Sequence, residues 1–132
     1  MKKLMLVALM LFSTAAAAEG VPAVAQQEID HLFTYLKGSG CQFSRNGSWY
    51  TPQAAVDHIN DKYQYLIHHD MVNTAEDFIK YAATGSSWSG KPYLVRCGGG
   101  AAQETGPWFR AELQKFRKVG MTASARQASP TH

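Results

Sequence analysis

The sequence predicts an α+β domain, with about four helices and a small three-stranded antiparallel sheet, stapled by one disulfide. Three observations predict it. Apolar residues recur at helical spacing in four separate segments. The dipeptide Asn46-Gly47 sits between two aromatic-bearing runs, and Cys41 and Cys97 are the only cysteines.

The first helix is expected over Pro22 to Lys37. Ile29, Leu32, Phe33 and Leu36 fall at i, i+3, i+4 and i+7, one apolar stripe with Val24 upstream. Lys37 in the last turn and Gly38 after it are stop signals. Cys41 to Arg45 and Ser48 to Tyr50 then flank Asn46-Gly47, whose two turn positions need positive φ, so a short hairpin follows. Thr51 caps a second helix with Pro52 at its first position. Ala55, Ile59, Tyr63 and Leu66, with Val56 and Ile67 beside them, form its buried face, and it ends near His68, His69 and Asp70. Thr74 opens a third helix, with Asp77 placed to answer the cap. Phe78, Ile79, Ala82 and Ala83 turn inward, and Gly85 closes it. Pro92 to Arg96 is a β-prone run that leads into Cys97. After the joint Gly98-Gly99-Gly100, a last helix runs from Thr105-Gly106-Pro107 through Arg117, with Phe109, Leu113 and Phe116 inward and Gly120 as its stop.

The start of the chain has the pattern of a secretory leader. Lys2 and Lys3 precede the apolar run Leu4 to Phe12, and Ala16-Ala17-Ala18 supplies the small-residue cleavage pattern. The run is shorter than the roughly 20 residues that a membrane span takes. The expected organisation is a signal peptide over 1–18, one domain over 19–120 and a disordered tail over 121–132. Cleavage after Ala18 leaves 114 of the 132 residues. It removes two of the 13 basic residues, leaving 11 against 10 acidic ones, which is no nucleic-acid footprint. Export puts the two cysteines in an oxidising compartment, where an isolated pair forms a structural disulfide. The loop it closes spans 57 residues, counting both ends, a constraint of roughly 4 kcal/mol.

Several motifs resemble chemistry without completing it. Gly85 to Lys91 matches most of a phosphate-binding loop. Pro92, however, replaces the hydroxyl residue that would hold magnesium, and the segment follows a helix instead of preceding one. Lys91 lies two, four and five residues after Ser89, Ser87 and Ser86, which is not a Ser-x-x-Lys spacing. His58 and His68 stand about 15 Å apart along a helix, too far to share a metal ion. No nucleophile elbow supports a Ser–His–Asp hydrolase. Trp49, Tyr50, Tyr93 and Trp108 could form an aromatic binding strip, but aromatics at strand and helix starts are usually core, and Arg45 reads as a solvated charge beside its turn. The loop from Ser86 to Lys91 has hydroxyls, an ammonium and the indole of Trp88, a set suited to an anionic or glycan ligand. A packed connecting loop with Trp88 partly buried is the alternative.

Four ordered motifs carry a family resemblance. These are Phe43-x-Arg45-Asn46-Gly47-x-x-Tyr50, Ala54-Ala55 through His58, Thr74-Ala75-Glu76-x-Phe78-Ile79, and Ser86-Ser87-x-Ser89-Gly90-Lys91-Pro92-Tyr93. From Ile29 to Phe116 the chain resembles the YfeK-like family of exported bacterial proteins, a domain of unknown function. The resemblance implies a periplasmic setting and a single small domain, and it implies no reaction.

The expected function is a non-enzymatic binding or interaction module of the cell envelope, without cofactor, metal, nucleotide or membrane anchor. Its partner is a periplasmic protein or a cell-wall component. Arg45, Ser86, Ser87, Trp88, Ser89 and Lys91 are the candidate ligand-binding residues. A hydrogen-bonded link between the hairpin and the serine-rich loop accounts for them equally well. An inhibitor or immunity protein against a cell-wall-active enzyme, and an envelope hydrolase using a Ser/Lys pair, are the alternatives.

Overall fold

The apolar stripe of the first helix is the post around which the other elements assemble. The computed structural model describes residues 20–128, so the expected leader and the last four residues of the expected tail lie outside it. Helix α1 (Ala23–Gly38) buries Ile29, Leu32 and Leu36 and packs against three further helices. These are α2 (Pro52–His68), α3 (Ala75–Ala82) and α4 (Thr105–Ala128). Gly38 is itself the last residue of α1, and Ser39 caps it. Phe78, Ile79 and Phe109, all fully buried, complete the centre of the helical layer.

The start signals of two helices act as expected. Thr51 Oγ1 accepts from the Ala54 amide at 3.2 Å, with Pro52 opening α2. Thr74 and Asp77 form a reciprocal capping box at α3, which satisfies donors at both ends of the first turn.

Strands β1 (Gln42–Arg45), β2 (Ser48–Tyr50), β3 (Leu94–Arg96) and β4 (Gln103–Glu104) form one antiparallel sheet in the order β2-β1-β3-β4. The β1–β2 turn places Asn46 at φ 51° and Gly47 at φ 85°, as an Asn-Gly hairpin requires. The register pairs Phe43 with Tyr50 and with Val95, so these three share a face. Arg45 lies two residues from Phe43, and the period of two puts it on that same face. The Cys41–Cys97 disulfide forms, with Cα atoms 4.3 Å apart, and joins the start of β1 to the end of β3.

Two expectations need correction. The sheet has four strands, because the exposed pair Gln103–Glu104 adds an edge beside β3. Nothing in a two-residue polar segment marks it as a strand; its pairing to Leu94 and Val95 is purely tertiary. Gly120 does not stop the last helix, which continues through the residues read as a tail as far as Ala128. A glycine costs a helix only about 1 kcal/mol, and the alanines, Gln127 and Arg126 beyond it favour continuation.

Candidate functional site

Between the hairpin and the first half of α2 lies an open cleft of about 120 Å³. Phe43, Tyr50, Ala54, Ala55 and Ile59 provide apolar walls, and Arg45, His58 and Tyr93 provide its polar side. The backbone explains this convergence. Arg45 shares the covered face of β1 with Phe43. On α2, His58 and Lys62 stand four residues apart, beside the buried stripe of Ala55, Ile59 and Tyr63. Tyr93 precedes β3, and its carbonyl accepts from the Thr105 amide at 3.0 Å, while Thr105 Oγ1 donates to the Ala83 carbonyl at 2.6 Å. The strand entry and the start of α4 are thereby fixed behind the cleft.

The polar groups form a chain. Arg45 Nη1 lies 2.6 Å from His58 Nδ1. The same Nη1 is 3.3 Å from Nε2; an arginine N–H can only donate, and the nearer nitrogen, Nδ1, is assigned as the acceptor, which puts the ring proton on Nε2. That nitrogen is 2.8 Å from the Tyr93 hydroxyl and donates to it. Lys62 Nζ donates to the same hydroxyl at 3.1 Å and to the Gly85 carbonyl at 2.7 Å. With two donors on its oxygen, the Tyr93 O–H proton is left to donate in turn, and it has no acceptor among the described residues. The Arg45 guanidinium also stands 5.4 Å above the Tyr50 ring, and Lys62 5.0 Å above that of Tyr93.

Electrostatics follow from burial and the crowding of cations. The pKa of His58 is lowered by burial first, then by Arg45 and Lys62, with Asp61 opposing, which agrees with a neutral ring. Burial lowers the Lys62 ammonium and Arg45 lowers it further. Burial raises the Tyr93 phenol against the opposing pull of Arg45. Arg45 and Lys62 take part in no ion pair among the described residues, and no carboxylate lines the cleft. Arg45 is therefore not the solvated charge expected beside the turn; it is partly buried with an imidazole for a neighbour.

The other candidates lie on the loop that follows α3. Ser86 Oγ accepts from the Trp88 and Ser89 amides, at 3.3 Å and 3.2 Å, and its carbonyl accepts from the Gly90 amide. Ser89 Oγ donates to Asn46 Oδ1 at 2.6 Å, so the link between hairpin and loop is present. At the loop base a Cβ on Gly85 would meet the Lys91 carbonyl oxygen at 3.0 Å, so a larger residue there would have to push the facing backbone back. Ser87 and Lys91 are exposed; the Lys91 amide donates to Ser89 Oγ at 3.3 Å, while the Lys91 ammonium bonds neither Arg45 nor a serine side chain among the described residues. Trp88 is 92% exposed, not partly buried as the packed-loop alternative required.

Sequence reasoning did not join Arg45 to His58 and Tyr50, nor the imidazole onward to Tyr93 and Lys62. A signal existed: positions 55, 58, 59, 62, 63 and 66 trace one helical face, and two of them carry polar side chains where apolar ones are expected.

Fold and cleft together define a small disulfide-bonded α+β domain with a cationic, aromatic-walled cleft. The chain belongs to the Family of unknown function (DUF5329), whose model matches residues 23–117. The match agrees with a family that has no assigned reaction and does not carry the YfeK-like name. No curated protein and no solved structure matches the chain.

Proposed function

We propose that this chain is a non-enzymatic binding module of the periplasmic cell envelope, whose cleft between hairpin and α2 receives an anionic group. One observation carries the reading: the partly buried Arg45 faces a cleft without any carboxylate. Withdrawing a cation from water without a counter-charge is unfavourable, and a bound anion relieves that cost. Lys62, behind Tyr93, adds a second positive charge.

A binding role is favoured over catalysis because both ring nitrogens of His58 are engaged, and because the Ser86 and Ser89 hydroxyls hold the loop instead of meeting the Lys91 ammonium. The leader pattern, together with a disulfide that persists only in an oxidising compartment, supports export and a periplasmic protein or cell-wall component as partner. Thermal unfolding of the purified disulfide-bonded protein at constant ionic strength tests the reading. A carboxylate or phosphate salt is expected to raise Tm above its value in chloride for the wild type and not for Arg45→Gln. Equal shifts in both proteins, or none, would overturn it.

Trp88 favours a second reading, an inhibitor of a cell-wall-active enzyme. A fully exposed indole on a hydrogen-bonded turn is ready to enter a partner's pocket. Lysozyme-type hydrolysis measured with wild type and with Trp88→Ala decides it, and inhibition absent or equal with both refutes it.

A further inference from the structure

We infer that the ligand of the cleft is a small monocarboxylate with a compact, flat apolar body, of the size of benzoate or phenylacetate. The inference rests on the anion-binding reading above and names the ligand's class. Three features of the cleft select that class.

The head group is fixed by the donors left over. Arg45 spends one N–H on His58, and the rest of its planar fork has no acceptor among the described residues. A guanidinium fork matches the two oxygens of a carboxylate. The Tyr93 O–H, on the other edge of the same imidazole, is a further donor with no acceptor. A single fork and one hydroxyl suit a monoanion with two oxygens. A phosphate dianion, with more oxygens and more charge, would leave part of its hydrogen-bonding capacity unmet against the apolar walls.

The body is fixed by those walls. Phe43 and Tyr50 contribute rings, and Ala54, Ala55 and Ile59 contribute aliphatic surface. The cleft's 120 Å³ compares with the ~150 Å³ of an engineered apolar cavity that admits benzene. A single ring or a branched aliphatic chain fills it, while acetate leaves most of it empty. The small side chain of Ala54, in the first turn of α2, keeps the space open.

Calorimetric titration of the disulfide-bonded protein with benzoate, acetate, inorganic phosphate and benzyl alcohol at constant ionic strength tests the class. Benzoate is expected to bind at least tenfold more tightly than each of the other three. Arg45→Gln is expected to weaken benzoate at least tenfold by removing the fork. Ala54→Leu, a substitution that α2 tolerates, is expected to do the same by filling the body's space. Phosphate binding more tightly than benzoate, with loss in Arg45→Gln, would overturn the carboxylate assignment and leave the anion site standing. Benzyl alcohol binding as well as benzoate would overturn the need for a charged head. No binding by any of the four, in a protein whose unfolding is unchanged, would overturn both readings.

Discussion

Replacing Arg117 by Met removes one side chain that ties three helices together. From α4 its guanidinium bonds Glu28 of α1 through Nε and Nη2 and Glu76 of α3 through Nη1. Glu28 is the buried partner, with its side chain 10% exposed, whereas that of Arg117 is 40% exposed. Breaking a fully buried pair costs about 3–5 kcal/mol and an exposed one less than about 1 kcal/mol. Water reaches the guanidinium side of this pair, so Arg117→Met is expected to cost about 2 kcal/mol. With a urea slope of roughly 1–1.5 kcal/mol/M, the unfolding midpoint falls by about 1.5 M. The damage is mostly the stranded Glu28 carboxylate, so adding Glu28→Met should recover more than half of the loss. Urea unfolding of the wild type, both single variants and the double variant measures each term. A single variant within about 0.5 kcal/mol of wild type, or a double variant no more stable than Arg117→Met, would refute the reasoning. The pH dependence gives an independent check. Arg117 lowers the Glu76 pKa below its ordinary 4.5, so this stabilisation is present above that pH and is lost as the pH falls below it. Arg117→Met should therefore lose less stability than wild type between pH 5 and pH 3.

Reduction of the Cys41–Cys97 bond releases a sequence separation of 56 residues and is expected to cost roughly 4 kcal/mol, seen as a urea midpoint lower by about 3 M; a midpoint within 0.5 M of the oxidised protein would contradict this. The lowered pKa of His58 means that the unfolded chain takes up this proton first, so its contribution is full above about pH 6.5 and declines as the pH drops through that value. Burial, then Arg45 and Lys62, hold it down and Asp61 opposes them, so His58→Gln should flatten the stability curve between pH 7.5 and 5.5, and an unaltered slope would count against the buried neutral imidazole. Trp88→Ala removes an indole that is 92% exposed and should change stability by less than about 0.5 kcal/mol; a loss above 1 kcal/mol in urea unfolding would show that the loop depends on it.

Features written into neighbouring residues were legible in the sequence. Asn46-Gly47, Thr51-Pro52 and Thr74 with Asp77 each specify their structure within four residues, and each forms as expected. The disulfide was legible from compartment chemistry and needed no geometry. Features created by distant partners were not. Gln103 and Glu104 become a strand only beside Leu94 and Val95. Gly120 looks like a stop, but the favourable residues after it outweigh its propensity. Arg45 is the instructive case for the site. Beside its turn it resembles any surface charge, and only the strand period places it on the covered face with Phe43. The His58 imidazole that it meets lies 13 residues away, on a helix whose periodic signal is dominated by its apolar members. The serine loop carries the hydroxyls that suggest a site, yet Ser86 and Ser89 are spent on holding the turn and joining it to Asn46.

The account turns on whether the unpaired guanidinium of Arg45 is what meets a ligand. The most direct measurement follows the Arg45 Nε–H signal and the backbone amides by ¹⁵N NMR during a benzoate titration. The predicted result is a saturable shift of Arg45 Nε–H together with the amides of Ala54, Ala55 and Ile59, while those from Ser86 to Lys91 stay in place. An Arg45 signal that does not move, whether or not the serine loop responds, would contradict it.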